Sequence, residues 1–279
     1  MNTIGICFGS TTMQCVELES FPDIKKVVKT TRIPHEGNPH NTLLEFLRKK
    51  DLKSINNIAV TGRNFRNNVK LSSISEPQAI ELALKEQYKN GDFPDILISS
   101  GGETQIVYTI NNGGSINSVH SGNKCASGTG EFFLQQIRRM GLELNEAVEM
   151  AKTGTPHKIA GRCSVFCKSD CTHALNKGEL RENIAAGLCL MMADKVTDLV
   201  KDIRCEKAAL IGGGSLNTAM VDILRSRFPV LDIPESAECF EAYGAALWAA
   251  QNSCEKIPDQ LESVIIDKRC SFGFHEPLK

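Results

Sequence analysis

The chain has 279 residues, 41% of them hydrophobic, which is enough for a sizeable core in one large or two medium domains. Acidic and basic side chains nearly cancel at a formal charge of −1, which argues against nucleic acid or an anionic membrane as a partner. The amino-terminal segment lacks a signal-peptide pattern, and no apolar run approaches the ~20 residues that span a bilayer, so we expect a cytoplasmic protein.

The first half of the chain begins with a strand, a glycine turn and a second strand in TIGICFGSTTMQCVEL. Helices are predicted at 41–50 and 76–89, with a strand in INNIAVTG between them. The opening pattern returns near residue 100 in DILISSGGETQIVYTI, and aligning Gly9 with Gly101 also aligns Thr12 with Thr104. Two copies of one unit predict a duplicated α/β fold with two lobes.

The second half is dominated by predicted helices. One opens from the turn in GTGEFFLQQIRRMG, one covers 163–177, and a long one in ELRENIAAGLCLMMADKVTDLVKDI carries an apolar stripe that we assign to the core. A third strand and glycine turn follow in KAALIGGGSLN, and ESAECFEAYGAALWAAQ predicts a closing helix. The predicted organisation is a first lobe at 1–95, a second lobe at 96–238, a closing helix at 239–252 that packs back on the first lobe, and a carboxy-terminal extension at 253–279.

The glycine-rich turns predict a nucleotide site. Glycine lets backbone amides approach a phosphate closely, and a turn that opens a helix adds the N–H groups of the helix end. A single such turn is ordinarily only a turn, whereas three in the order of a duplicated fold favour phosphate binding. The candidate nucleotide-binding residues are Gly9, Ser10, Thr11, Thr12, Gly101, Gly102, Gly128, Thr129, Gly130, Gly212, Gly213, Gly214 and Asn217.

Three of the 11 cysteines, Cys163, Cys167 and Cys171, recur at intervals of four and therefore lie on one stripe of a helix. In a reducing compartment each thiol can be a buried apolar residue, a catalytic group or a metal ligand. A zinc site that adds His173 is disfavoured, because four ligands on one straight helix cannot converge on a tetrahedron. The other histidines, such as His35, stand alone in the sequence and are expected on the surface or in loops.

The motifs NKCASGTGEF, RCSVF and GGGSLN, in this order after GICFGSTT, resemble the ATP-dependent activators of 2-hydroxyacyl-CoA dehydratases and benzoyl-CoA reductases. The resemblance implies a duplicated actin/hexokinase-like (ASKHA) fold with ATP or ADP, and Mg²⁺, in a cleft between two lobes. It also implies one 4Fe–4S cluster shared by two protomers, each of which supplies Cys125 and Cys163. An electron would pass from the cluster to a partner reductase or dehydratase.

The resemblance does not require Cys167 or Cys171. Either these thiols are extra or alternative iron–sulfur ligands, in a homodimer or in a heterodimer with a related chain, or they are buried packing residues near the interface. Both alternatives stay open at this point.

The sequence departs from the family pattern at the positions that would hold hydrated Mg²⁺. Cys7, Ser99 and Thr104 stand where the resemblance implies aspartates, and Gln14 stands where it implies a lysine. Thiol and hydroxyl groups are poor Mg²⁺ ligands, so ATP hydrolysis is expected to suffer more than nucleotide binding. Glu103 is the candidate catalytic carboxylate that could compensate.

Three functions follow from these residues. The first is an ATP-binding iron–sulfur protein that donates low-potential electrons and activates a partner reductase or dehydratase. The alternative is a degenerate, pseudo-ATPase iron–sulfur subunit of a larger reductase-activation complex. A small-molecule kinase of the same fold is the third, and the missing aspartates argue against it.

Overall fold

The structure is a computed structural model that describes residues 1–21, 24–63, 65–122, 126–161, 163–258 and 260–266. The chain divides into two compact units. Unit 1 comprises Met1–Ala83 and the chain from Glu241 onward, and unit 2 comprises Leu84–Phe240. Each unit contains one five-stranded mixed sheet. Within the described ranges, no helix combines the length and the apolarity needed to cross a membrane.

Ten strands and eight α-helices make up the described part of the chain. The strands are β1 (Asn2–Phe8), β2 (Thr12–Ser20), β3 (Lys25–Pro34), β4 (Asn57–Thr61), β5 (Ser72–Ser73), β6 (Ile96–Ser100), β7 (Gln105–Ile110), β8 (Ile116–Ser121), β9 (Lys207–Ile211) and β10 (Val230–Asp232). The helices are α1 (Pro39–Arg48), α2 (Glu76–Gln87), α3 (Gly130–Arg139), α4 (Leu144–Thr153), α5 (Ser164–Asn176), α6 (Arg181–Val200), α7 (Thr218–Arg225) and α8 (Phe240–Gln251).

The two sheets share one topology. In unit 1 the order is β3-β2-β1-β4-β5, with β1 antiparallel to β2 and parallel to β4. In unit 2 the order is β8-β7-β6-β9-β10, with β6 antiparallel to β7 and parallel to β9. The outer strands also match, since β3 and β8 run antiparallel to their neighbours while β5 and β10 run parallel. The duplicated α/β fold predicted from the repeated turns is confirmed.

The core of unit 1 covers both faces of its sheet. Ile4 and Ile6 of β1 pack in a cluster with Leu43 of α1 on one face. On the other face α8 approaches so closely that any side chain at Gly5 would clash with the α8 backbone at Ala242. Small residues in β1 and α8 therefore allow the helix to lie directly on the sheet.

The core of unit 2 is organised around α6, whose apolar stripe was predicted to be core. Ile184, Leu188, Met192 and Val196 are all buried there among residues of β6, β9, α3 and α7. Side chains three or four positions apart share one face of a helix, so this stripe presents a continuous surface to the core. The prediction for α6 is confirmed.

Two segments of unit 1 differ from expectation. Helix α1 begins at Pro39, earlier than predicted, because the Asn38 side chain caps it by accepting from the Asn41 amide at 3.2 Å. The segment 260–266, expected to belong to a patternless extension, packs on the unit 1 core instead. Val264 is fully buried, and its carbonyl accepts from the Lys70 amide at 2.7 Å. Apolar residues in so short a segment give too little periodicity to be recognised.

Candidate functional site

The same tight turn ends the first strand of each sheet. In unit 1 the amide of Gly9 donates to the carbonyl of Thr12 at 3.0 Å. In unit 2 the amide of Gly101 donates to the carbonyl of Thr104 at 2.8 Å. These are the residues that the sequence alignment paired, so the predicted repeat extends to individual hydrogen bonds.

The glycine segments of unit 2 meet at the carboxyl ends of β6 and β9. The amides of Gly130 and Glu131, at the start of α3, donate to the carbonyls of Gly101 and Gly102 at 3.1 and 2.9 Å. After β9, Gly212 has a φ of +86° and passes the backbone of β6 so closely that a Cβ there would lie 2.6 Å from the Ser100 carbonyl oxygen. The carboxyl ends of neighbouring parallel strands are the usual ligand-binding edge of an open α/β sheet.

The turn before α3 mainly supports the glycine segments at the ends of β6 and β9. Gly128 adopts a φ of +89°, and Thr129 caps the helix by accepting from the Phe132 amide at 3.4 Å. The amides of Gly130 and Glu131 are already bonded to the carbonyls of Gly101 and Gly102 in the second turn. The first N–H groups of α3 are therefore occupied, whereas those of Gly102, Glu103 and Thr104 donate to no acceptor in the described part of the chain.

The third turn holds its predicted residues in different environments. Gly213 is partly exposed, while Gly214 lies against the Ser100 side chain, where no larger residue would fit. Asn217 is 4% exposed, and its carboxamide oxygen caps α7 by accepting from the Met220 amide at 3.1 Å. The oxygen of Asn217 is therefore committed to the helix end.

The positions expected to carry Mg²⁺ ligands offer few carboxylate oxygens to a hard cation. Cys7 is 4% exposed within β1, and Ser99 is half-buried at the end of β6. Glu103 and Thr104 are exposed at the tip of the second turn, where Glu103 supplies the sole carboxylate of Gly101–Thr104. Magnesium prefers carboxylate, phosphate and water oxygens, so this turn can contribute one strong ligand.

Two bracing residues were not recognised from the sequence. His35 lies in a loop, as expected, but it is buried rather than on the surface. Its Nδ1 accepts from the Gly37 amide at 3.2 Å, so its Nε2 carries the proton and donates to the Gly9 carbonyl at 3.1 Å. In unit 2, the Gln105 side chain donates to the Gly128 carbonyl at 2.9 Å. Neither contact has a sequence signal, because its partners lie 26 and 23 residues apart.

The described residues that flank the two candidate ligand cysteines lie side by side in unit 2. Cys163 is half-buried at the N-cap of α5, with a φ of −143° and a ψ of 131°, and no side chain caps this helix end. Cys125 lies outside the described residues. The nearby Ser127 hydroxyl donates to the Gly161 carbonyl at 3.0 Å, so the chain two residues after Cys125 touches the chain two residues before Cys163.

Cys167 and Cys171 follow Cys163 on α5, as the spacing predicts, but they face the core. They are 0% and 3% exposed, and the Cys167 sulfur lies 3.5 Å from the sulfur of Met191 on α6. The hydrogen bond with the Cys171 thiol, together with burial, raises the pKa of Cys167. Across the described ranges, no three His, Cys, Asp or Glu side chains are grouped to hold a metal ion. Their burial in the core of unit 2 argues against iron–sulfur ligation at an interface between two protomers.

The surface beside Cys163 is apolar. Val165 and Phe166, in the first turn of α5, are 70% and 66% exposed. Adjacent exposed apolar side chains of this size commonly mark a contact surface for another protein.

Comparison with solved structures agrees with this architecture. An activator of the 2-hydroxyisocaproyl-CoA dehydratase from Clostridium difficile, solved with bound ADPNP, superposes with a TM-score of 0.78 at 23% identity, over 90% of this chain and 95% of that one. A ROK family glucokinase from Streptomyces griseus superposes with a TM-score of 0.54 at 13% identity, over 90% and 100% of the two chains. These similarities show the actin/hexokinase-like fold.

Sequence comparisons identify relatives along nearly the whole chain. It is 26% identical to the 2-hydroxyisocaproyl-CoA dehydratase activator of Clostridioides difficile, over 91% of this chain and 97% of the relative. It is 24% identical to the (R)-2-hydroxyglutaryl-CoA dehydratase activating ATPase of Acidaminococcus fermentans, over 91% and 98%. The BadF/BadG/BcrA/BcrD ATPase family model matches residues 87–249, more than half of the chain, and the protein therefore belongs to this family.

Proposed function

We propose that this protein binds ATP and, through a 4Fe–4S cluster shared by two protomers, donates low-potential electrons that activate a partner dehydratase or reductase. The observation that carries the proposal is the contact between Ser127 and Gly161, which joins the segments that bear Cys125 and Cys163. Relatives named as dehydratase activators support the same partner class.

The nucleotide part of the proposal rests on the two glycine turns of unit 2, at 101–104 and 212–214. The amides of Gly102–Thr104 are available to a phosphate, and glycine at 212 and 214 lets two turns approach one another. The Ser100 hydroxyl is buried beneath Gly214 and has no hydrogen-bond partner in the described chain. One polar group beside these glycine turns therefore remains unpaired. A related activator solved with ADPNP agrees with this assignment.

The cluster part of the proposal rests on Cys163 and its surroundings. Cys163 is partly exposed at an uncapped helix N-terminus, so its sulfur is accessible to iron. Two cysteines per chain cannot complete a four-thiolate site, so a second protomer is required, and exposed Val165 and Phe166 offer it an apolar contact. When bound, the cluster supplies a one-electron carrier. Cys125 and Cys163 would ligate its irons, and the N-terminus of α5 would offset its negative charge.

A second candidate function is a degenerate ATPase within a larger reductase-activation complex. The buried Cys7, which replaces a carboxylate in β1, specifically favours it. Phosphoryl transfer depends on positioning and on neutralising charge with Mg²⁺, so this variant of the site would bind nucleotide and hydrolyse it slowly. The two candidates share the iron–sulfur site and differ in ATP turnover.

The experiment is an anaerobic purification followed by spectroscopy. The protein should show the broad visible absorbance of an iron–sulfur cluster, and dithionite should bleach it. Adding ATP should alter the electron paramagnetic resonance spectrum of the reduced form. A colourless protein that phosphorylates a small metabolite would overturn the proposal in favour of a kinase.

A further inference from the structure

Three buried sulfur-bearing side chains lie in the core of unit 2, outside the proposed cluster ligands. Cys167 and Cys171 lie one turn apart on α5, where each thiol acts electrostatically on the other. Met191, on α6, brings its sulfur to 3.5 Å from that of Cys167. The three side chains are only 0%, 3% and 4% exposed. A shared 4Fe–4S cluster with two ligands per chain uses none of them.

The charges around these sulfurs would suit an anionic metal complex. Lys195 acts on Cys167, and Arg139 acts on Cys171, each favouring the thiolate, while Asp170 opposes ionisation of both. Two cationic side chains and one carboxylate therefore act on the two thiols.

We propose that Cys167, Cys171 and Met191 form a binding site for one Cu(I) ion. Thiolate and thioether sulfurs are the soft donors that select Cu(I), and a dry site with three such donors suits an ion of low coordination number. Binding displaces one proton from each thiol to solvent and involves no electron transfer. The resulting bis-thiolate complex carries one negative charge, which Lys195 and Arg139 offset.

Other metals fit this site less well. Zinc prefers four ligands in a tetrahedron, and iron–sulfur clusters are held by thiolates, whereas this site offers two thiolates and one neutral thioether. The segment 154–161 lies between α4 and α5 without regular structure, and a Cβ at Gly161 would lie 3.3 Å from the Met191 side chain. Displacement of this segment would give the ion access to Met191.

The test is a competition titration of the full-length, cluster-loaded protein, without oxygen, with Cu(I) held by bicinchoninate. We expect one Cu(I) per chain, X-ray absorption showing sulfur ligands alone, and unchanged iron content. Cys167→Ser and Cys171→Ser should weaken binding by more than the roughly 10–100-fold cost of outer-shell substitutions. Met191→Leu should weaken it less. The matched control is Cys189→Ser, because Cys189 is also buried in unit 2 but contacts Asn217 instead.

Three results would overturn the site: no binding in competition with the chelator, equal binding by the Cys167→Ser/Cys171→Ser double variant, or release of iron in proportion to the copper added. If a serine variant does not fold, as judged by thermal unfolding, Met191→Leu decides the matter, since equal affinity there also contradicts the site. Wild-type protein without iron would contradict the proposed function but not the copper site. The copper titration would then be carried out on the Cys163→Ser variant.

Discussion

His35 fastens the first glycine turn through both its backbone and its ring. Its amide donates to the Thr11 carbonyl at 3.0 Å, and its Nε2 donates to the Gly9 carbonyl. His35→Ala removes the ring contacts and leaves the Gly9 carbonyl without its partner, so the free energy of unfolding should fall by about 1–3 kcal/mol. Denaturant titration measures this, with His173→Ala as the control because His173 is exposed. Equal losses in both variants would show that the ring contacts are unimportant.

Glu103 tests whether the altered turn still hydrolyses ATP. It is exposed and is the single carboxylate of its turn, so we expect slow hydrolysis that Glu103→Gln barely changes, together with nucleotide affinity within about threefold of wild type. Calorimetry and a phosphate-release assay measure the two quantities. A cluster-dependent turnover of ~1 s⁻¹ would lie at the lower end of ordinary kcat values. If Glu103→Gln abolished such turnover, this carboxylate would be shown to replace the missing aspartates.

Among the elements, α6 depends on close approach by a neighbouring segment. A Cβ at Gly187 would clash with the backbone carbonyl of His157, in the segment that precedes Cys163. Gly187→Ala should therefore lower the free energy of unfolding by about 1–3 kcal/mol, although alanine is the better helix former by ~1 kcal/mol. Asp198→Ala, at an exposed position of the same helix, is the control. A Gly187→Ala protein that melts at or above the wild-type temperature would refute this packing.

At the same scale, sequence patterns predict elements better than they predict contacts. The repeated turn and the stripe on α6 follow from local spacing and were identified correctly. The four-residue spacing predicted that Cys163, Cys167 and Cys171 share one stripe of a helix, but it could not tell whether that stripe faces the core or a partner. The answer depends on Met191 of α6, which is far along the chain. The role of His35 and the packing of Val264 were missed for the same reason.

For the whole molecule, the central expectation is a dimer joined at the cysteine end of α5. Replacing the exposed Phe166 with Asp should shift the protein from dimer to monomer, because a charge would be buried in an apolar contact. Sedimentation velocity measures the mass, with Val119→Ser as the control, since Val119 is 57% exposed on β8. A Phe166→Asp protein that remains a dimer would exclude this surface as the interface.

The most direct test is a count of iron and sulfide in anaerobically prepared wild-type protein, Cys125→Ser, Cys163→Ser and Cys205→Ser. Cys205 is a partly exposed cysteine of unit 2 outside the proposed site. We predict about four irons per dimer in the wild type and in Cys205→Ser, and almost none in the other two variants. Full iron content in Cys125→Ser or Cys163→Ser, or wild-type protein without iron, would contradict the account.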